Sequence, residues 1–234
     1  MTAAQDELKQ AAAQAAVQRI QSGMVVGLGT GSTAAFAVSA LAKRMQSESI
    51  LVVGVPTSAR TAAQAESLGI PLATLEEQPQ LDLAIDGADE IEEGSLHLIK
   101  GAGGALLREK LVEASAKELI IVADASKTVV QLGTRFPIPV EIVRFGWKST
   151  FKRLEALGCH PVLRMDAAGN PFITDEQHYI LDCNFGAIAN PAELAAAIKG
   201  TVGVIEHGLF IGMATLALIA TPSGLETLTA PAIS

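Results

Sequence analysis

Residues 23–45 read GMVVGLGTGSTAAFAVSALAKRM, and the reading of this stretch decides the fold. Gly23 closes an alanine-rich segment, and Met24 to Gly29 is a short apolar run. Gly29, Thr30, Gly31, Ser32 and Thr33 then make a turn of glycine and hydroxyl residues before a helix-like stretch from Thr33 to Met45. An apolar run too short for a helix, closed by glycine and followed by helical periodicity, predicts strand, tight loop and helix.

The same rhythm continues outward. Ile50 to Val55 reads as a strand, Thr57 or Ser58 can cap a helix through Leu68, and Gly69 closes it before a short strand near Pro71. Leu81 to Ile85 and Leu119 to Ala123 supply two further strands, with a helix from Leu106 to Ala116 between them. Continuous apolar strands alternating with helices predict an α/β fold, a doubly wound and mostly parallel sheet covered on both faces. After Arg135 the rhythm breaks at Pro137 and Pro139. The next elements read as strand 140–144, helix 148–157, strands 161–165 and 178–184, helix 191–199 and strand 203–206, a βαββαβ order of ferredoxin-like type. The expected division is therefore an α/β domain of residues 1–135 with 208–234, and a small α+β domain of residues 136–207.

Composition narrows the partners. A chain of 234 residues with 49% hydrophobic and 18% charged residues can bury a large core. Its formal charge of −8 opposes general binding to nucleic acid or anionic membranes, so any anion must be met locally. Asp6, Glu7, Lys9 and Arg19 interrupt the N-terminal stretch up to Ser22, which reads as an amphipathic helix of a cytoplasmic protein instead of a signal peptide. Cys159 and Cys183 lack Cys-x-x-Cys spacing, and the four histidines are scattered. No metal and no cofactor is expected.

Chemistry-bearing residues fall at the ends of the predicted strands. Glycine at 29 and 31 lets backbone amides approach an anion, while Ser32, Thr33 and a helix N-terminus can bind it. The turn has neither Walker nor Gly-x-Gly-x-x-Gly spacing, so a nucleotide is not implied. Asp86, Gly87, Ala88, Asp89 and Glu90 follow the third strand, at the edge where open α/β sheets receive ligands. Lys100 precedes Gly101, Ala102, Gly103 and Gly104, a second anion-binding turn that opens onto a helix carrying Glu109. A glutamate there is ordinarily a surface residue held by the helix dipole. However, Glu109 has the like-charged Glu113 at i+4, and Ala105, Val112 and Ala116 share its face, which predicts a partly buried carboxylate. Asp124, Ser126 and Lys127 form a further polar cluster after a strand.

Five motifs in this order, GTGST (29–33), PTS (56–58), DGADE (86–90), KGAGGALLREK (100–110) and ADASK (123–127), resemble the type A ribose-5-phosphate isomerase family. GTRFPIPVEI (133–142), GVIEHGLF (203–210) and ATPSG (220–224) extend the resemblance over nearly the whole chain. It implies an aldose-ketose isomerase that interconverts ribose 5-phosphate and ribulose 5-phosphate in the non-oxidative pentose phosphate pathway, as a homodimer. It also implies Glu109 as the base, with Asp86, Asp89 and Lys100 as further catalytic groups. Substrate contacts carry over to Thr30, Gly31, Ser32 and Thr33, to Asp86, Gly87, Ala88 and Asp89, to Lys100, Gly101, Ala102 and Gly103, and to Lys127. Ala102 stands where the family often has glycine, and 175–179 is not distinctive. Rival readings are a deaminase, lactonase or coenzyme A transferase of the same fold group, or a sugar-phosphate sensor without chemistry.

Overall fold

The computed structural model describes residues 3–231. Residues 1 and 2 of the expected N-terminal helix, and 232–234 of the expected C-terminal return, lie outside the described residues. The chain runs α1 (Ala3–Val17), β1 (Val25–Leu28), α2 (Ser32–Glu48), β2 (Val53–Pro56), α3 (Ala59–Ser67), β3 (Leu83–Asp86), β4 (Glu90–Glu92), β5 (Leu98–Ile99), α4 (Leu106–Ala114), β6 (Leu119–Asp124) and β7 (Thr128–Val129). It continues through β8 (Ile138–Ile142), α5 (Trp147–Glu155), β9 (His160–Leu163), β10 (Tyr179–Asn184), α6 (Pro191–Lys199), β11 (Val204–His207), β12 (Leu209–Phe210), β13 (Leu216–Thr221) and β14 (Gly224–Thr229). Among the described residues, no helix is long and apolar enough to cross a membrane.

The main sheet has the order β14-β13-β6-β3-β1-β2, parallel except for the terminal β13–β14 hairpin. Its strands are apolar on both faces because both faces are covered. Leu83, Ile85, Ile120 and Val122 point into a core shared with α1 and α2. The alternate residues Ala84, Leu119, Ile121 and Ala123 point into a second core with Ile91, Leu98 and Phe210. Much of that second face is covered by a small sheet of order β12-β5-β4-β7. Its strands have two or three residues each, too few to show any periodicity in sequence. The strand expected near Pro71 is only a bridge from Leu72 to Gly54, since proline lacks the N–H that a ladder needs.

The βαββαβ segment forms an antiparallel sheet of order β11-β8-β10-β9, the ferredoxin-like arrangement, around Val140, Ile142, Leu154, Leu181 and Ile198. Ile99, Val129 and Leu209 of the small sheet join this core.

In the main sheet the chain passes outward from β1 to β2, then returns to lay β3 on the other side of β1. This reversal opens a crevice beyond the carboxyl ends of β1 and β3, where the loops diverge. Gly29 ends β1 against Asp86 at the end of β3. A Cβ on Gly29 would stand 2.2 Å from Asp86 Oδ1, so only glycine admits this approach.

Glu90, fully buried, binds the linker between the sheets: it accepts hydrogen bonds from the backbone N–H of Gly133 (2.6 Å), Arg135 (2.6 Å) and Phe136 (2.8 Å). Glu90→Ala strands these amides and is expected to lower unfolding free energy by about 3 kcal/mol in urea titrations. Val130→Ala, at a position 85% exposed, should change it little.

Candidate active site

Four segments meet over the crevice. The turn after β1, the turn after β3, the loop between β5 and α4, and a 3₁₀ turn at Ala125–Lys127 line one cleft. Of the residues singled out in the sequence, Thr30 to Thr33, Gly87 to Asp89, Lys100 to Gly103, Glu109 and Lys127 all line it. Asp86 does not. It is fully buried behind the wall, where Oδ1 accepts from the Thr30 (3.0 Å) and Gly87 (2.7 Å) amides and Oδ2 lies 3.0 Å from Lys100 Nζ. Its carboxylate is thereby occupied in shaping the two turns and pairing the lysine.

At the first turn, Gly31 has φ 111° and sets the entry of α2. By helix geometry, the amides of the first turn of α2 have no intrahelical acceptors, and they point toward the cleft with the positive end of the helix dipole. Ser32 and Thr33 add hydroxyls there. The Thr30 hydroxyl is turned away, bonded to those of Thr57 (2.7 Å), Ser58 (2.8 Å) and Thr61 (3.2 Å), so Thr30 meets the cleft without that group. This buried cluster explains the PTS motif: its hydroxyls brace the turn. A cation unmarked in the sequence also arrives, because α1 lays Lys9, 6% exposed, with Nζ 3.1 Å from Ser32 Oγ. Only the packing of α1 on α2 reveals it.

The loop after β5 is fixed from both sides. Asp89 Oδ2 accepts from the Ala102 amide at 2.9 Å. From the small α+β unit, Arg164 donates to the carbonyls of Gly101 (2.9 Å) and Ala102 (3.2 Å), while its other nitrogens hold Asp182. Gly104, at φ +82°, lets the ring of Phe172 pack where a Cβ would clash at 2.5 Å.

At the cleft floor, Lys100 Nζ donates to Gly87 O (2.6 Å) and lies 3.0 Å from Asp86, 3.2 Å from Glu113 and 3.6 Å from Glu109. Burial would pull the lysine pKa down, but Asp86, Glu109 and Glu113 together hold it well above its ordinary value. It stays cationic. Burial pushes the Glu109 carboxyl up to about 8, with Lys100 opposing and the negative charges of Asp86 and Asp89 reinforcing the rise. Glu109 is thus a 3% exposed carboxyl that lines the cleft with a proton affinity matched to neutral water. The arrangement suits proton transfer next to a centre of developing negative charge, with a separate anion site at α2.

The chain is similar to known proteins along most of its length. Residues 53–224 match the family described as Ribose 5-phosphate isomerase A (phosphoriboisomerase A). The chain is 78% identical over 226 residues to ribose-5-phosphate isomerase A of Synechococcus sp. (strain JA-3-3Ab), covering 97% of this chain and 98% of that one. It is 58% identical over 224 residues to the protein of that name from Gloeobacter violaceus, covering 96% of each. Among solved structures, ribose 5-phosphate isomerase A from Methanocaldococcus jannaschii superposes with a TM-score of 0.92 at 40% identity, over 96% of this chain and 99% of that one. A D-ribose-5-phosphate isomerase in complex with phospho-erythronic acid superposes with a TM-score of 0.93 at 36% identity, over 96% and 98%. On fold, motifs and similarity along its length, the chain belongs to the ribose-5-phosphate isomerase A family.

Proposed function

We propose that this protein interconverts ribose 5-phosphate and ribulose 5-phosphate through an enediolate, with Glu109 as the single base serving C1 and C2. The observation that carries the reading is the Glu109 carboxyl, buried on every side but the cleft and held beside a lysine that stays charged. Aldose and ketose differ in the positions of two protons: Glu109 takes one from C2 and returns it to C1, and the other passes from the O2 hydroxyl to O1 by way of the Asp89 carboxylate in the cleft. The electron pair released moves onto the carbonyl oxygen as an enediolate. Lys100 and the amides of the Gly101 to Gly103 loop stabilise that oxyanion.

Asp89 lines the cleft and is the carboxylate left to bind sugar hydroxyls. Asp86 acts from behind, by holding Lys100 and the Thr30 turn. The phosphate binds at the N-terminus of α2, to Ser32 and Thr33, with Lys9 and Lys127 supplying charge. Binding energy from this remote group then fixes C1 and C2 against Glu109. The phospho-erythronic acid bound by a relative combines a phosphate with a planar carboxylate, which is the charge pattern of the enediolate.

Glu109→Gln is expected to fold and bind substrate while turnover falls by about 10³-fold or more. Retention of full isomerase activity in a coupled ribulose 5-phosphate assay removes Glu109 from the role. Because the base must be ionised, kcat/KM should rise about tenfold per pH unit from the acid side and level off above a midpoint of about 8. Lys127→Ala removes one charge from the phosphate site, so KM should rise about tenfold with a smaller change in kcat, and inorganic phosphate should inhibit less.

A further inference from the structure

Glu113 takes no part in the reaction above, yet it is as buried as Glu109, one helical turn further along the same face of α4. It does not line the cleft. With every carboxyl ionised, neither Glu113 oxygen has a hydrogen-bond donor, and the same holds for Glu109 Oε2 and Asp86 Oδ2; a proton on Glu113 would supply one. One oxygen of each carboxyl, Asp86 Oδ2, Glu113 Oε1 and Glu109 Oε2, lies 3.0 to 3.6 Å from Lys100 Nζ. One buried ammonium therefore faces three buried carboxyl groups. With all three ionised, the sum of +1 and −3 leaves −2 in a water-excluded space, which burial strongly disfavours.

Of the other charges near α4, only Lys110 offsets Glu113, and it does so less than it offsets Glu206. Asp89, at the cleft wall, adds negative potential. Lys110 on α4 is committed to β11, with Nζ 2.8 Å from Glu206 Oε1 and beside His207. Glu141 of β8 accepts from Thr174 and is 2.9 Å from His178 Nδ1.

We infer that Glu113 keeps its proton throughout turnover and serves as a positioning residue: its neutral carboxyl donates to Asp86, and Glu109 is left as the one member of the cluster that gains and loses a proton. Burial drives Glu113 well above the usual carboxylate range, Lys100 opposes this, and Asp86 and Glu109 reinforce it. The charge count then closes. With Glu113 neutral, Lys100, Asp86 and ionised Glu109 sum to −1. As the C2–H bond breaks, its electron pair passes into the enediolate and the proton forms an O–H bond on Glu109, which brings the cluster to zero. Delivery of that proton to C1 restores −1.

The inference rests on Glu109 as the base, so the test has an arm that does not use catalysis. Infrared spectra of the parent protein in D₂O at about pH 9.5, where Glu109 is ionised, should show the carbonyl stretch of a protonated carboxylic acid that is lost in Glu113→Gln. Identical spectra overturn the inference and leave the role of Glu109 untouched. In the second arm, the pH midpoint of kcat/KM in Glu113→Gln should stay within a few tenths of a unit of the parent, because a neutral amide replaces a neutral acid. A fall of a full unit, a tenfold change in the proton affinity of Glu109, means Glu113 was ionised and also overturns it. Glu113→Leu, which removes the donor to Asp86, should lower kcat with little change in KM, and Glu113→Gln should restore it. An active Glu109→Gln enzyme defeats the base assignment, while the infrared band of the parent still reports on Glu113.

Discussion

The site is organised around one buried ammonium. Lys100 is at the meeting point of three elements: its backbone amide bonds Gly208 O, its Nζ bonds Gly87 O, and its charge faces Asp86 of β3 and Glu109 and Glu113 of α4. Carboxyl groups this deep are tolerable only beside a cation, and a cation this deep only among carboxylates. Each therefore fixes the others, and the geometry of α4 against β3 follows from their charge balance as well as from apolar packing. The proton affinity of the Glu109 carboxyl is set within this cluster by burial and by the fixed charges around it.

The acidic run after β3 divides its work among residues one or two positions apart. Asp86 binds amides and the lysine, Asp89 faces the cleft and holds Ala102, and Glu90 ties down residues 133–136. Backbone N–H groups that a turn leaves unpaired must find acceptors. This explains why acidic side chains crowd where repulsion would otherwise forbid them.

Much of this was legible in the sequence. The apolar runs 24–29, 81–85 and 119–123, alternating with helical stretches, marked the parallel sheet. The glycine turn after β1 and the loop after Lys100 also announced themselves through residue type. Three things did not. The sheet of β12, β5, β4 and β7 rests on two-residue and three-residue pairings that carry no period. Lys9 reaches Ser32 only through the packing of two helices. The burial of Glu113, which appears as a like-charged neighbour at i+4, depends on which face of α4 meets β3, something helix spacing restricts but does not choose. The individual roles of Asp86 and Asp89 also required coordinates, since sequence places both at one edge and cannot tell wall from floor.

Arg164 gives the molecule a further property. Its guanidinium, anchored on Asp182 of the ferredoxin-like unit, clamps the Gly101 and Ala102 carbonyls beside Lys100. The ferredoxin-like unit thus holds the shape of a loop that lines the cleft. Arg164 is therefore a point where the packing of one sheet sets the backbone of a loop on another, so the precision of the cleft depends on a residue far from it in sequence.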